Sequence, residues 1–244
     1  MKQVLFYFSI LFIIILSAVS CSKDRHWIKG DGDNVTNTRT SSSFTGIILS
    51  ISADVELYED SIFRIELNGQ QNILDVIETK VKGNNLCIGI ERFTTIRKHN
   101  PILIRIYLPK IENIDVSGSG NVKCKSFFQN SIMNCNVSGS GSIDLSGAFT
   151  ESFTANISGS GDINMGSTGN CKTGKYTISG SGSINADWFK VDNLESSISG
   201  SGDQRVYAVK TLDAKISGSG MVYYRGNPVI NSNISGSGKI KSLQ

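Results

Sequence analysis

Apolar and polar residues alternate along much of the chain, and the alternation is strictest around one five-residue phrase, a β-branched residue followed by Ser-Gly-Ser-Gly. The phrase occurs seven times, beginning at Val116, Val137, Ile157, Ile178, Ile198, Ile216 and Ile234. Successive copies are 21, 20, 21, 20, 18 and 18 residues apart. A period of two, typical of strands, inside a period near twenty predicts stacked β units.

Aligning the seven copies on their first serine places like residues in columns. Two positions after the motif, six copies carry an apolar residue and the fifth carries Gln204; the apolar six are Val122, Ile143, Ile163, Ile184, Val222 and Ile240. A single unit cannot bury such an edge, whereas stacked parallel copies enclose one continuous core. The pattern therefore predicts a β-solenoid of about seven rungs over residues 116–244, with a distorted fifth rung or a polar contact at Gln204.

The two glycines of each copy are predicted to shape a corner of the rung. Strict glycine indicates either a positive φ or an approach of chain and core too close for a β-carbon. The predicted corner glycines are Gly118, Gly120, Gly139, Gly141, Gly159, Gly161, Gly180, Gly182, Gly200, Gly202, Gly218, Gly220, Gly236 and Gly238.

Residues 44–115 are predicted to form a strand-rich region that continues or caps the solenoid. Alternating segments, with Ala53-Asp54 as a turn, predict strands over 44–58, 62–67, 76–81, 86–90 and 102–108. The polar, basic stretch Thr94 to Asn100 is predicted to be an exposed loop, and a role for Arg97, Lys98 and His99 in function is kept as a lesser alternative.

The amino terminus has the pattern of an export signal. Lys2 precedes a run from Val4 to Leu16 that is apolar except for one serine and is short for a membrane-spanning helix. Ala18-Val19-Ser20-Cys21 resembles a bacterial lipobox, which predicts a signal peptide over 1–20 and acylation of Cys21. An ordinary cleaved signal and an uncleaved anchor are the alternatives. The polar segment 21–43 is predicted to be a flexible tether, and the protein to be lipid-anchored at the outer membrane, facing the periplasm or the cell surface.

Composition narrows the function classes. The 244 residues include 25 glycines and only 3 prolines, which suits short strands and tight turns, and the net charge of +3 is spread along the chain. With no basic patch and no recognisable motif, nucleic acid is not predicted as a partner. Export permits disulfides, and Cys87, Cys124, Cys135 and Cys171 allow three pairings; the positions of Cys87, Cys124 and Cys135 in apolar columns favour buried free thiols over any of them. The cysteine and histidine spacings predict no metal site, and no cofactor is predicted.

Two sets of polar residues are candidates for chemistry or binding. Serines of the motif, beginning with Ser117, Ser119, Ser138 and Ser140, would form stacked rows of hydroxyls offering a flat face for glycan or surface contact; the alternative is that they only turn the corner and hydrogen-bond locally. Asp162 and Asp203 follow the motif two rungs apart, so their carboxylates would be about 10 Å apart. That distance is close to the upper limit of about 9.5 Å used by inverting glycosidases, although solvated carboxylates are the simpler interpretation.

The phrases Gly161-Asp162-Ile163-Asn164 and Gly182-Ser183-Ile184-Asn185 resemble the Gly-x-Ile-Asn signature of exported Bacteroidetes proteins described as auto-transporter adhesins with a head GIN domain. The resemblance extends from Phe44 through the repeats. It implies an all-β, right-handed parallel β-helix with a surface role. The expected function is non-catalytic binding to glycans or to host or neighbouring surface proteins. A structural envelope scaffold without a ligand and a carbohydrate-active enzyme are the alternatives, and the oligomeric state is open.

Overall fold

A computed structural model describes residues 26–243, apart from the side chains of 146–149 and 167–168. The predicted signal peptide, Cys21 and the first residues of the tether lie outside the described residues. The described part contains one short helix, α1 (Gln71–Leu74), and these strands: β1 (His26–Ile28), β2 (Asn34–Arg39), β3 (Gly46–Leu49), β4 (Asp54–Glu59), β5 (Arg64–Gln70), β6 (Ile77–Lys82), β7 (Asn85–Ile90), β8 (Thr94–Ile96), β9 (Leu103–Leu108), β10 (Asn113–Gly118), β11 (Asn121–Cys124), β12 (Phe128–Gln129), β13 (Ile132–Gly139), β14 (Ser142–Phe149), β15 (Ser152–Gly159), β16 (Asp162–Gly180), β17 (Ser183–Gly200), β18 (Asp203–Gly218), β19 (Met221–Arg225), β20 (Val229–Gly236) and β21 (Lys239–Ser242).

The strands stack into a β-solenoid, which confirms the predicted fold class. Each turn places one strand before the Ser-Gly-Ser-Gly corner, on face 1, and one after it, on face 2. In the repeat region every strand pairs in parallel with its equivalents in neighbouring turns, and motif residues pair with motif residues, as Val116 does with Val137 and Ile157 with Ile178. The in-register stack is what the aligned columns predicted.

Residues 44–115 both extend the solenoid and close its amino-terminal end. The turn formed by β3 and β4 lies between the turn of β7 and β9 on one side and that of β10 and β11 on the other, all parallel. The chain then covers the outer edge with antiparallel strands, β6 on β7 and β5 on β9, and β2 lies beyond β5. Chain order and stacking order therefore differ here, because β3 and β4 are enclosed by strands that come later in the sequence.

The turn of β3 and β4 contains an eighth corner that lacks glycine. Leu49 pairs with Val116 and Asp54 pairs with Asn121, so the intervening Ser-Ile-Ser-Ala is level with the first Ser-Gly-Ser-Gly. The predicted turn at Ala53-Asp54 is thus part of a solenoid corner. Ile51 lies where other turns have their first glycine, and its φ is not positive, so this corner has a different backbone conformation from the other seven.

Part of the predicted flexible tether is ordered as strands. Residues 34–39 form β2, whose Arg39 guanidinium donates to the carbonyl oxygens of Leu74 and Ile77 at 2.8 and 2.7 Å. Residues 26–28 form β1, which pairs in parallel with β8 inside the segment predicted to be a loop. The sequence showed no apolar alternation here because β1 and β2 are edge strands that bury few apolar side chains.

A single apolar core fills the solenoid from Phe44 to Val222. Gln204 lies in an otherwise apolar column and is fully buried. Its amide donates to the carbonyl oxygens of Tyr176 and Ser197 at 3.2 and 3.1 Å, and its Oε1 accepts from the Ser196 hydroxyl at 2.6 Å. Gln204, which departs from the apolar column at the fifth rung, is therefore a buried polar residue satisfied by hydrogen bonds.

The four described cysteines are free thiols. Cys124 and Cys135 are buried, as predicted, and Cys171 is buried too, whereas Cys87, for which burial was also expected, is half-buried. Burial raises the pKa of Cys124 and of Cys171 to about 12 and that of Cys135 well above its ordinary value, because the thiolate cannot be solvated there. These three thiols are structural members of the core.

Replacing a corner glycine should lower the free energy of unfolding by a measurable amount. Gly180 has a φ of +133°, and an added β-carbon would lie 2.3 Å from the carbonyl oxygen of Gly159. We expect Gly180→Ala to destabilise the protein by more than the ~1–3 kcal/mol of backbone strain alone. Gly118→Ala should cost only the strain, because Gly118 has a φ of +110° with nothing within 4 Å.

Urea denaturation followed by circular dichroism measures both changes. Gly89→Ala is the matched control, since Gly89 lies in β7 with open space around it and without a positive φ. Its effect should stay within about 0.5 kcal/mol. If Gly180→Ala cost no more than Gly89→Ala, the corner geometry would be wrong.

Candidate functional site

The Ser-Gly-Ser-Gly corner continues the backbone hydrogen bonding of the two faces around the bend. In six of the seven copies, all but the first, the N–H of the second serine donates to the carbonyl of the first glycine one turn below, as from Ser160 to Gly139 and from Ser201 to Gly180, both at 2.9 Å. The first glycine has a positive φ in all seven copies. The second glycine approaches the turn below so closely that a β-carbon on Gly141 would lie 2.2 Å from the Gly120 carbonyl oxygen. Both predicted reasons for glycine are present: from the second copy onward the first glycine combines a positive φ with a close approach to the turn below, and the second glycine shows the close approach.

The corner leaves its serine hydroxyls unused. Ser117, Ser119, Ser138 and Ser140 are exposed. In the part of the chain that the structure describes, no corner serine hydroxyl has a hydrogen-bond partner. The alternative that these hydroxyls hydrogen-bond locally is therefore not what the structure has. The corner displays two rows of free hydroxyls at the spacing of the strands, about 4.8 Å.

A shallow groove of about 260 Å³ runs beside the corner on face 1. First-position serines of four successive turns line it together with the outward residues two positions earlier. The lining includes Ser179, Ser199, Ser217, Ser235, Thr177, Ser197, Lys215 and Asn233. Ile178, Ile198 and Ile216 also line the groove, so its surface is mainly apolar, with hydroxyl groups in a regular row and one ammonium group beside them.

Ladders of amide side chains flank the corner on both faces. On face 1 the Asn136 amide donates to Asp115 at 2.5 Å, and Asn156 donates to Asn136 at 2.9 Å. On face 2 Asn164 donates to Asp144 at 2.7 Å and Asn185 to Asn164 at 2.8 Å. An asparagine amide has two donor hydrogens and an oxygen with two lone pairs, so each ladder member keeps hydrogen-bonding capacity for an external partner.

The face 2 ladder explains the Gly-x-Ile-Asn phrase in physical terms. The glycine closes the corner and the isoleucine enters the core, as buried Ile163 and Ile184 show. The asparagine that follows points outward and joins the ladder. The signature is thus the junction of corner, core and polar surface in one turn.

Asp162 and Asp203 lie where the sequence placed them, two turns apart on face 2. Asp162 pairs with Ser183, which in turn pairs with Asp203, so the two carboxylates are two strand spacings apart, about 10 Å. The Asp203 carboxylate accepts the backbone N–H of Met221 at 3.1 Å. That spacing is close to the upper limit of the range of about 6.5–9.5 Å in inverting glycosidases.

A second groove, of about 480 Å³, lies on face 2 near the amino-terminal end and has charged walls. Glu56 there receives hydrogen bonds or ion pairs from Lys125, Arg105 and Tyr58. Desolvation raises the pKa of Glu56, but these three partners outweigh it, so the pKa lies below its ordinary value. The charges around Glu56 therefore satisfy one another.

The largest of the described grooves, about 580 Å³, lies at the bend that leads back to face 1. Asn130 lines it, is buried at 7% exposure, and has no hydrogen-bond partner at either amide atom. The same inward position is occupied in successive turns by Asn130, Thr150, Cys171 and Val191, because the residues directly before them pair in register. Asn130 was not predicted from the sequence; the available signal was an amide in a column that holds Thr150 in the next turn and apolar residues after that.

Trp188 is a second residue that the sequence analysis missed. It is 55% exposed, and the Arg225 guanidinium carbon lies 4.4 Å from its ring centroid. The register of β17 and β18 shifts between Ala186 and Lys190, so the residues between them bulge from the stack. The only signal in the sequence is the shortening of the repeat from 20 to 18 residues after this turn.

Comparison with known proteins assigns the family. The model for the family described as "Putative auto-transporter adhesin, head GIN domain" matches residues 43–228. The chain belongs to this family. No match was found among curated proteins.

Solved structures share the fold of this head GIN domain protein. A putative adhesin from Bacteroides fragilis aligns with a TM-score of 0.83 at 23% identity, over 88% of this chain and all of that one. A putative adhesin from Parabacteroides distasonis aligns at 0.74 and 22%, over 89% and 100%. A protein of the same species described as a putative lipid binding protein aligns at 0.75 and 26%, again over 89% and 100%. In the described residues, no helix is long and apolar enough to cross a membrane.

Substitution of the two buried amide side chains, Asn130 and Gln204, should change the free energy of unfolding in different ways. Gln204→Leu removes a satisfied amide and orphans its partners, which should cost about 1–3 kcal/mol. Asn130→Val removes an amide without partners and should be neutral or stabilising, since a valine already fills this column at position 191. Urea unfolding of both variants makes the comparison. An equal loss for Asn130→Val would contradict the expectation and show that the Asn130 amide has hydrogen-bond partners in solution, water included.

Proposed function

We propose that this head GIN domain protein is a lipid-anchored protein of the bacterial cell envelope that binds saccharide surfaces through its serine corner and does not catalyse a reaction. The observation that carries the proposal is the row of corner hydroxyls without partners, flanked by two amide ladders with unused donors and acceptors. Such a surface suits saccharides, because each sugar hydroxyl can both donate and accept hydrogen bonds. Membership of an adhesin family supports a surface role.

The geometry of the corner suits an extended ligand better than a small one. The grooves beside it are shallow and open, and their polar groups recur with every turn. A chain of sugars could therefore form one weak contact per turn, and the contacts would add along the axis. A protein surface is the alternative partner, and a structural scaffold without a ligand is the alternative function.

The proposed attachment rests on the sequence alone. The apolar run from Val4 to Leu16 followed by Cys21 supports acylation of that cysteine, and several acyl chains would hold the protein durably on a membrane, at about 0.8 kcal/mol for each buried CH₂. Labelling of cells with a radioactive fatty acid tests this. The wild-type protein should carry the label and Cys21→Ser should lose it; label that persists in Cys21→Ser would refute attachment at this residue.

Binding is tested with a glycan array and the chain beginning at Ser22. This part contains the whole apolar core, so it is expected to fold without the residues before it. We expect at least one class of glycan to bind. The triple variant Ser179→Ala, Ser199→Ala, Ser217→Ala should bind it at least tenfold more weakly, with unchanged stability, because these hydroxyls have no partner in the fold.

The matched control is Ser42→Ala, Ser43→Ala, which removes exposed serines from the segment before β3. It should bind as the wild type does. Binding that is unaffected by the triple variant would move the site away from the corner. An array without any bound glycan, together with binding to an extracellular matrix protein, would favour a protein partner; the absence of both would favour the scaffold.

A further inference from the structure

The end of the solenoid nearest the amino terminus carries a small sheet that stands apart from the main stack. β1 and β8 pair with each other, Trp27 opposite Thr95 and Ile28 opposite Ile96. Ile28 and Ile96 pack against the core, which leaves Trp27 on the outer side. We define the end patch as Trp27, Arg92, Phe93, Arg97 and Lys98.

The end patch exposes two large aromatic side chains. Trp27 is 50% exposed and Phe93 is 42% exposed. Phe93 has a φ of 67° and is the one non-glycine residue with a positive φ in the described chain. Such a conformation costs of order 1–3 kcal/mol and persists where the surroundings or a function require it. Here the strained turn presents an aromatic ring to the outside.

Basic groups surround the two rings. The Arg97 guanidinium carbon lies 3.8 Å from the Trp27 ring centroid, and that of Arg92 lies 4.8 Å from the Phe93 ring centroid. Lys98 follows directly and is exposed. None of these three bases forms an ion pair with an acidic residue of the described chain, whereas Lys80, Lys110, Lys125, Lys172 and other bases elsewhere do. Glu91 is the acidic residue in the same turn. Its negative charge offsets only one of the three bases, so the patch keeps a net positive charge.

The chain holds the end patch close to the proposed membrane attachment. Trp27 is six residues after Cys21, so even a fully extended chain places it within about 21 Å of that residue. Exposed tryptophan with arginine and lysine is the composition that favours the interface between lipid headgroups and acyl chains, where the ring is partly buried and the bases meet lipid phosphates.

We propose that the end patch lies on an anionic lipid surface, with Trp27 inserted at headgroup level and Arg92, Arg97 and Lys98 against lipid phosphates. This deepens the proposed function and rests on membrane attachment near Cys21 for its setting. The contact holds the amino-terminal end of the solenoid at the membrane, and the later turns stack on from that end.

Vesicle binding tests the proposal with the chain beginning at Ser22, which has no cysteine to acylate at position 21. Its failure is therefore distinguishable from a failure of acylation or of glycan binding. Vesicles of phosphatidylcholine with 30% phosphatidylglycerol are compared with pure phosphatidylcholine by co-sedimentation. We expect binding to the anionic vesicles that weakens with added salt, and at least fivefold weaker binding for Trp27→Ala and for the pair Arg97→Gln, Lys98→Gln.

The chain offers matched controls. Trp188→Ala removes the other exposed tryptophan, which also stacks with an arginine, and the pair Lys239→Gln, Lys241→Gln removes exposed lysines from the last described turn. Both should bind as the wild type does. If the controls lost as much vesicle binding as the end-patch variants, binding would not depend on the end patch. That result would contradict the proposal.

Tryptophan fluorescence locates the contact without disturbing the patch. The sequence has two tryptophans, so Trp188→Phe leaves Trp27 as the single reporter and Trp27→Phe leaves Trp188. On anionic vesicles Trp27 emission should shift to the blue and be quenched by brominated lipid, while Trp188 emission should not change. An unchanged Trp27 spectrum, or no binding to anionic vesicles, would overturn the proposal.

Discussion

The structure depends on keeping backbone hydrogen bonds continuous around a sharp bend. A solenoid buries its interior only if every turn stacks on the next, and a bend normally breaks the ladder between turns. Here the serine N–H at six successive corners donates to a glycine carbonyl one turn below, so the ladder passes through the bend. A β-carbon cannot be accommodated at such an approach, which is why glycine recurs at this point of the turn.

The continuous backbone hydrogen bonding leaves side-chain groups at the corner available for binding. Because the main chain satisfies itself at the corner, the serine side chains need not, and their hydroxyls stay available. The same register that stacks the core aligns outward residues, so Asp144, Asn164 and Asn185 hydrogen-bond in a row. The proposed binding surface is thus a consequence of the stacking rule, repeated with each turn.

Sequence analysis predicted most of the repeat region because its determinants are local. The aligned columns predicted the solenoid, the corner glycines and the odd position of Gln204. The turn of β3 and β4 was missed as a repeat because Ile51 and Ala53 replace both glycines, and its place between later strands depends on pairing between distant residues. The strands β1 and β2 were predicted as tether because edge strands carry little apolar signal.

The candidate site was predicted less completely, since exposure and partnership are properties of the folded chain. The sequence indicated the serine rows but could not show that their hydroxyls lack partners. Trp188 protrudes because two turns differ in length, and Asn130 is unsatisfied because of its neighbours in adjacent turns. Neither property follows from the residue type.

Hydrogen exchange at the corner amides tests the central claim most directly. If the ladder passes through the bend, the N–H groups of Ser160, Ser181 and Ser201 are protected by hydrogen bonds and should exchange as slowly as those of the neighbouring strands. Exchange measured by NMR at single-residue resolution would show this. Corner amides that exchange as fast as those of an exposed turn such as Gly83-Asn84 would contradict the account.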